Sequence, residues 1–220
     1  MENNYSHIIP YTDDNVAKDV ELFVNWRRTR YIQRCNNFFK IHSEDVAQHS
    51  CFTAQLSLII ADDLNNNAAF TEKFGKVNVE TVLRKALLHD MPEAVTSDIP
   101  YNVKRHSKEL GARIADAETD MMNEAYEGSS HMFQSYKASG NDCKKGLEGD
   151  VVNAADMLEL AWHCCEEVCM GNQFMKGLLD KALGILEKYG VADYSKFVKT
   201  AMDTLLSMPS SGEATKRVYL

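Results

Sequence analysis

The stretch Leu87-Leu88-His89-Asp90-Met91-Pro92-Glu93-Ala94-Val95-Thr96-Ser97-Asp98-Ile99-Pro100 gathers reactive side chains around one short corner of backbone. A His-Asp pair ends an apolar helical run, and Glu93 and Asp98 follow three and eight residues after Asp90. An adjacent imidazole and carboxylate can ligate one divalent cation, and a carboxylate outside the ligand set can handle the proton of a water activated there. The competing reading is a plain helix C-terminus, where the histidine meets the helix dipole and the aspartate starts a turn. Because short motifs match by chance, the pair needs partners elsewhere in the chain.

Helical periodicity supplies two. Ser43 is read as an N-cap, with Glu44 and Asp45 adding negative charge to the first turn. Ala47, Cys51, Ala54, Leu58 and Ala61 then form an amphipathic seam ending near Asp62-Asp63. His49 lies beside that seam with Val46, Thr53, Leu56 and Ile60, a position that by itself also suits a hydrogen-bonded core histidine. A second helix, over Val151, Ala154, Leu158, Ala161, Cys165 and Val168, stops at Gly171-Asn172 and carries Asp156 in its most apolar part. A carboxylate there is costly to bury unless paired or coordinated.

The elements that must position these side chains all read as helices. Asn78 caps a helix over Val79, Val82, Leu83, Ala86 and Leu87 that ends at His89-Asp90. Pro92 interrupts it, placing Glu93 in the first turn of the next piece, which Pro100 ends. Further helices are predicted over 15–34, 107–126, 174–188 and 193–207, with an irregular stretch at 35–39 that presents Arg34. Residues 127–147 read as a loop or excursion bearing one short helix. No strand alternation or internal repeat is evident, so the expected fold is all-α: a single helical domain over 1–208 and a polar, mobile tail over 209–220.

The chain has 220 residues, 45% of them apolar and 25% charged, the balance of one globular domain with a core of its own. A net charge of −8 gives duplex nucleic acid no global reason to bind, although a small anion needs only local cations. Five basic residues between Arg27 and Lys40, and Lys104, Arg105 and Lys108, are candidates for phosphate contacts or simply solvated faces. The start of the chain has no leader pattern, and no apolar run approaches the ~18 residues of a membrane span, so a cytoplasmic protein without a membrane partner is expected. The six cysteines are then thiols, and Cys164, Cys165 and Cys169 are read as buried rather than metal-bound.

The order H…HD…D, given by His49, His89-Asp90 and Asp156, resembles the HD-domain superfamily of metal-dependent phosphohydrolases. Ser43-Glu44-Asp45-Val46-Ala47-Gln48-His49-Ser50 is similar to its E-[DN]-V-[AS]-[EQ]-H-S helix, and residues 89–100 to its H-D-x-x-E-x-x-T-G-D-x-P segment. Ala155-Asp156, with Glu166-Glu167 and Gly171-Asn172, resembles its last ligand helix. Within the superfamily the pattern is that of the bacterial 5′-deoxynucleotidases, over roughly residues 25 to 180.

The resemblance implies metal ligation by His49, His89, Asp90 and Asp156, general acid/base work by Glu93, and an orienting role for Asp98. Two imidazoles and two carboxylates suit one Mn, Co, Fe, Ni or Zn ion, with Mg less well served by nitrogen donors. Arg34 matches an arginine used on the nucleotide; Cys35 replaces a tryptophan that screens for the missing 2′-hydroxyl, and Ser97 stands where glycine is usual. Lys104 is a further candidate phosphate contact, and a homodimer is implied.

The expected activity is removal of the 5′-phosphate from (deoxy)ribonucleoside monophosphates. The alternatives are a nucleoside triphosphate hydrolase releasing triphosphate and a non-catalytic nucleotide-binding HD protein; the latter predicts loss of a ligand or of Glu93, and all are present. A binuclear oxidase-like site would need further histidines after the pair, and only His106 and His131 lie before Asp156, neither in a convincing motif.

Overall fold

The computed structural model describes residues 12–104, 106–130 and 143–211. In chain order its helices are α1 (Asp13–Trp26), α2 (Val46–Asn65), α3 (Ala68–Phe74), α4 (Val79–Leu88), α5 (Glu93–Thr96), α6 (Tyr101–Lys104), α7 (Lys108–Tyr126), α8 (Gly146–Cys169), α9 (Lys176–Leu186), α10 (Gly190–Tyr194) and α11 (Lys196–Ser211). Short 3-10 turns occupy Arg27–Tyr31 and Gln173–Met175. The described residues hold no strand beyond an isolated antiparallel bridge between Gln33 and Asp45, so the fold is all-α as expected. None of these helices is long and apolar enough to cross a membrane.

Helix α8 is the axis of the molecule, packed by α2, α4, α9 and α11. Val151, Val152, Ala154, Ala155, Leu158, Ala161, Cys164 and Cys165 on it are all fully buried. Small residues among them let neighbouring helices approach closely, and burial around most of the circumference is what a central helix requires. Cys164 and Cys165 are buried free thiols, Cys169 a half-buried one.

Several boundaries differ from the sequence reading for local reasons. Helix α2 is capped by Asp45 rather than Ser43: Asp45 accepts from the Gln48 amide at 2.8 Å while the Gln48 side chain accepts from the Asp45 amide at 3.2 Å. Its inner face is the His49 row, with Ser50, Thr53, Ala54, Ser57, Ile60 and Ala61, whereas Cys51 and Leu58 are exposed. Three small hydroxyl residues on the buried side made the wrong face look like the seam. The predicted 15–34 helix ends at Trp26 in a 3-10 turn, and the helix predicted from Val151 begins at Gly146 instead, since two glycines there mimic a loop. The predicted 174–188 and 193–207 helices are α9, α10 and α11, and α11 runs through Pro209 to Ser211, into the stretch expected as tail. Residues 212–220, Arg105 and the 131–142 part of the excursion, with His131, lie outside the described residues.

Candidate metal centre

Four elements deliver the site. The bridge at Gln33, closed by the Val46 amide on the Ile32 carbonyl and the Arg34 amide on the Glu44 carbonyl, both at 3.0 Å, draws the 32–35 segment against the start of α2. His49 lies on the buried face of α2, and Asp156 projects from mid-α8. His89 is the C-cap of α4, after which tight turns place Glu93 at the start of α5, with its amide on the Asp90 carbonyl at 3.1 Å. That corner closes at Ser97, whose φ of 62° and ψ of 171° lie in a region that favours glycine. Asp98 then accepts from the Cys35 amide at 3.0 Å, tying the corner to the Arg34 segment.

The two imidazoles face each other tip to tip. His49 Nε2 lies 3.2 Å from His89 Nε2, 3.2 Å from Asp156 Oδ1 and 3.4 Å from Asp90 Oδ2, and His89 Nε2 is 3.3 Å from Asp90 Oδ2. Behind the tips, His49 Nδ1 is bonded to the Glu159 carboxylate and His89 Nδ1 to the Ala86 carbonyl at 2.6 Å. Both Nδ1 positions therefore serve as donors, so in the neutral rings the two Nε2 lone pairs face each other, with the Thr53 hydroxyl 3.4 Å from that of His49. Two lone pairs and two carboxylates repel unless a positive charge lies among them. A proton on one ring satisfies only part of this set; a divalent ion with N and O ligands satisfies all four, so the residues fit a metal.

The surrounding electrostatics agree. Burial and the Arg34 guanidinium push His49 down, yet its bonds to Asp156 and Glu159 more than offset them and raise it to about 9, so the surroundings favour positive charge beside this ring. Burial pushes Asp90 up, but His89 and Arg34 hold it well below the usual carboxylate range; Lys144 and His49 do the same for Asp156. Arg34 donates to Asp90 Oδ2 at 2.8 Å. Glu93 differs: burial, with Asp90 nearby, pushes its carboxyl up to about 8. It is 5% exposed, and its Oε2 has no hydrogen-bond partner. A buried carboxyl kept protonated near neutrality beside such a cluster has the properties of a general acid.

The other sequence candidates fall outside the cluster. Lys104 is paired with Glu118 at 3.0 Å, while Arg27, Arg30, His106 and Lys108 are exposed. Cys35 sits at a φ of 51°, and burial pushes its thiol up. Three residues at the centre had no site role in the sequence reading: Glu159, Lys144 and Glu44, the last of which was read only as first-turn charge and motif. Burial and the Glu159 carboxylate to which it hydrogen-bonds push Glu44 up to about 8, so Glu44, Glu159 and His49 form a bonded chain. A signal was present, because Asp156, Glu159, His163 and Glu167 make one polar row along α8, and all four are buried.

An all-helical bundle that draws a histidine, a His-Asp pair and a later aspartate to one point is the arrangement of the HD-domain phosphohydrolases. The chain belongs to the YfbR-like 5′-deoxynucleotidase family, whose model matches residues 21–205. It is 28% identical over 159 residues to a 5′-deoxynucleotidase of Vibrio vulnificus, covering 70% of this chain and 78% of that one. In fold it is similar to an HD-domain phosphohydrolase from Listeria innocua, with a TM-score of 0.71 at 21% identity over 90% of this chain and 95% of the other. It is also similar to the cyanophage S-2L HD phosphohydrolase DatZ bound to dA and one catalytic Zn2+ ion, with a TM-score of 0.57 at 15% identity over 82% and 96% of the two chains. The protein is a hydrolase of this family, and the residues at its centre fit a divalent metal ion.

Proposed function

We propose that this protein removes the 5′-phosphate from (deoxy)ribonucleoside monophosphates, acting as a single HD domain over 1–208 on one Mn, Co, Fe, Ni or Zn ion held by His49, His89, Asp90 and Asp156. The observation that carries this reading is the convergence of two Nε2 atoms and two carboxylates beside the buried Glu93, whose Oε2 has no hydrogen-bond partner. When bound, the ion polarises the phosphate and lowers the pKa of a water.

The chain's own residues do the rest. Glu93 passes one proton from the attacking water to the leaving 5′-oxygen, giving nucleoside and orthophosphate and ending in its starting state. Arg34, fixed on Asp90, orients the nucleotide, and Asp98 orients through the Cys35 amide that it holds. Cys35, in place of a bulky ring, leaves the sugar edge less restricted, so ribose and deoxyribose are both accepted. The exposed Phe52, Leu58 and Ile59 on α2 would suit a second copy, in keeping with the homodimer the family resemblance implies.

The triphosphate reading would require more cations at the centre, whereas Lys104 is committed to Glu118 and Arg27, Arg30 and Lys108 are exposed. The test is product analysis by anion exchange after metal-stripped protein with added Mn or Co meets each deoxy- and ribonucleoside mono- and triphosphate. Nucleoside and orthophosphate from monophosphates alone are expected. Intact triphosphate as a product, or no product from any nucleotide, would overturn the assignment.

A further inference from the structure

Lys144 is an exposed residue whose ammonium reaches a buried carboxylate. Its side chain is 45% exposed, yet its Nζ is bonded to Asp156 Oδ2, while Asp156 Oδ1 faces His49. Such a residue reaches the cluster from an exposed stretch of backbone.

The backbone that carries it is built to hold that position. The chain enters α8 through Gly146 at a φ of 76°, and Gly149 lets the turn lie on the helix: a Cβ at 149 would come within 2.5 Å of the Lys144 carbonyl carbon. The Asn153 side chain donates to the Lys144 carbonyl at 3.1 Å, and the buried Lys85 ammonium donates to the Lys145 carbonyl at 2.8 Å. A buried lysine is costly to desolvate, and its bond to the Lys145 carbonyl helps to fix where Lys144 can reach.

Among the described residues, Arg34 is paired with Asp90 and 12% exposed and Lys104 is paired with Glu118, whereas Lys144, although paired with Asp156, keeps nearly half of its side chain exposed. An ammonium has three donors, and Asp156 Oδ2 takes one of those on Lys144. We propose that Lys144 is the side chain that binds the substrate's 5′-phosphate, sharing its ammonium between Asp156 and a phosphate oxygen. The proposal rests on the phosphomonoesterase reading above and adds to it the residue that recognises the dianion.

Two titrations of the Mn- or Co-loaded full chain test it, on wild type, Lys144→Arg and Lys144→Met. One measures KM and kcat for a deoxynucleoside monophosphate; the other measures the affinity for inorganic phosphate by calorimetry, with no turnover required. Lys144→Met should raise KM and weaken phosphate binding about tenfold or more, leave kcat within about threefold and keep metal content, and Lys144→Arg should restore most of the loss. Unchanged phosphate affinity in Lys144→Met would overturn the proposal, as would a loss confined to metal content, which would make Lys144 only a positioning residue for Asp156. If wild type turned over no nucleotide, the parent reading would fall, and the phosphate titration would still decide for or against Lys144.

Discussion

His49 depends on Glu159 at the scale of single residues. The carboxylate behind Nδ1 fixes the tautomer that aims Nε2 at His89 and Asp156, and the bond to His49, with a smaller contribution from Glu44, holds Glu159 below its ordinary value against burial. Partners of this kind set ligand orientation and basicity, and their loss typically costs 10–100-fold in metal affinity. Glu159→Ala should therefore weaken Co or Zn binding by about that factor in a competition with a chelating dye, although Glu159 is not one of the four proposed ligands. Affinity equal to wild type would show that His49 is oriented without it. Of the four ligand candidates only Asp156 breaks a rule by itself, as a carboxylate in an apolar helix; the histidines and Asp90 were legible through the family resemblance. Glu159 breaks the same rule three residues later and was passed over, because an acid three residues from another reads as ordinary helix polarity.

At the scale of elements, the site depends on two corners held by unusual means. The α5 corner closes at Ser97, where φ is 62° and ψ 171°, a conformation costing a non-glycine residue about 1–3 kcal/mol. Ser97→Gly removes the Cβ strain but adds unfolded-state entropy, so a net gain of about 1 kcal/mol in urea unfolding is expected. A loss of stability would show that the Ser97 side chain matters more than its backbone. The family resemblance marked this position as a departure from glycine, but only the dihedral angles give the reason.

The second corner is the 39–42 segment, clamped by Glu167 at the end of α8. Glu167 accepts from the Ile41 and His42 amides at 2.8 and 2.6 Å and from Asn172, which also donates to the Phe39 carbonyl at 2.9 Å. Burial pushes the Glu167 carboxyl up, and these bonds more than offset it, leaving it below its ordinary value of 4.5. A depressed folded pKa gives stability that is present above the unfolded value and lost as pH falls through the folded one. Wild type should thus exceed Glu167→Gln by roughly 1–2 kcal/mol at pH 7, and the gap should close as pH falls below the ordinary carboxylate value of 4.5 in paired denaturation curves. A gap independent of pH would mean that the carboxylate charge plays no part in the clamp.

At the scale of the whole molecule, a central helix ringed by others brings together residues 107 positions apart in sequence, His49 and Asp156. The all-α class followed from periodicity, and the site followed from the family resemblance, because a ligand set spread over three helices has no local signature. Periodicity misjudged α2, whose buried face carries Ser50, Thr53 and Ser57. Those hydroxyl residues lie on the face turned to the centre, where hydropathy and function point in opposite directions.

The proposed division of labour, in which Asp156 helps to hold the ion and Glu93 moves the proton, is open to one direct test: metal content measured together with phosphate release on wild type, Asp156→Ala and Glu93→Gln. Asp156→Ala should lose both the ion and turnover. Glu93→Gln should keep the ion at the wild-type level while turnover falls by at least about a hundredfold. Equal metal loss in the two variants, or full turnover in Glu93→Gln, would contradict it.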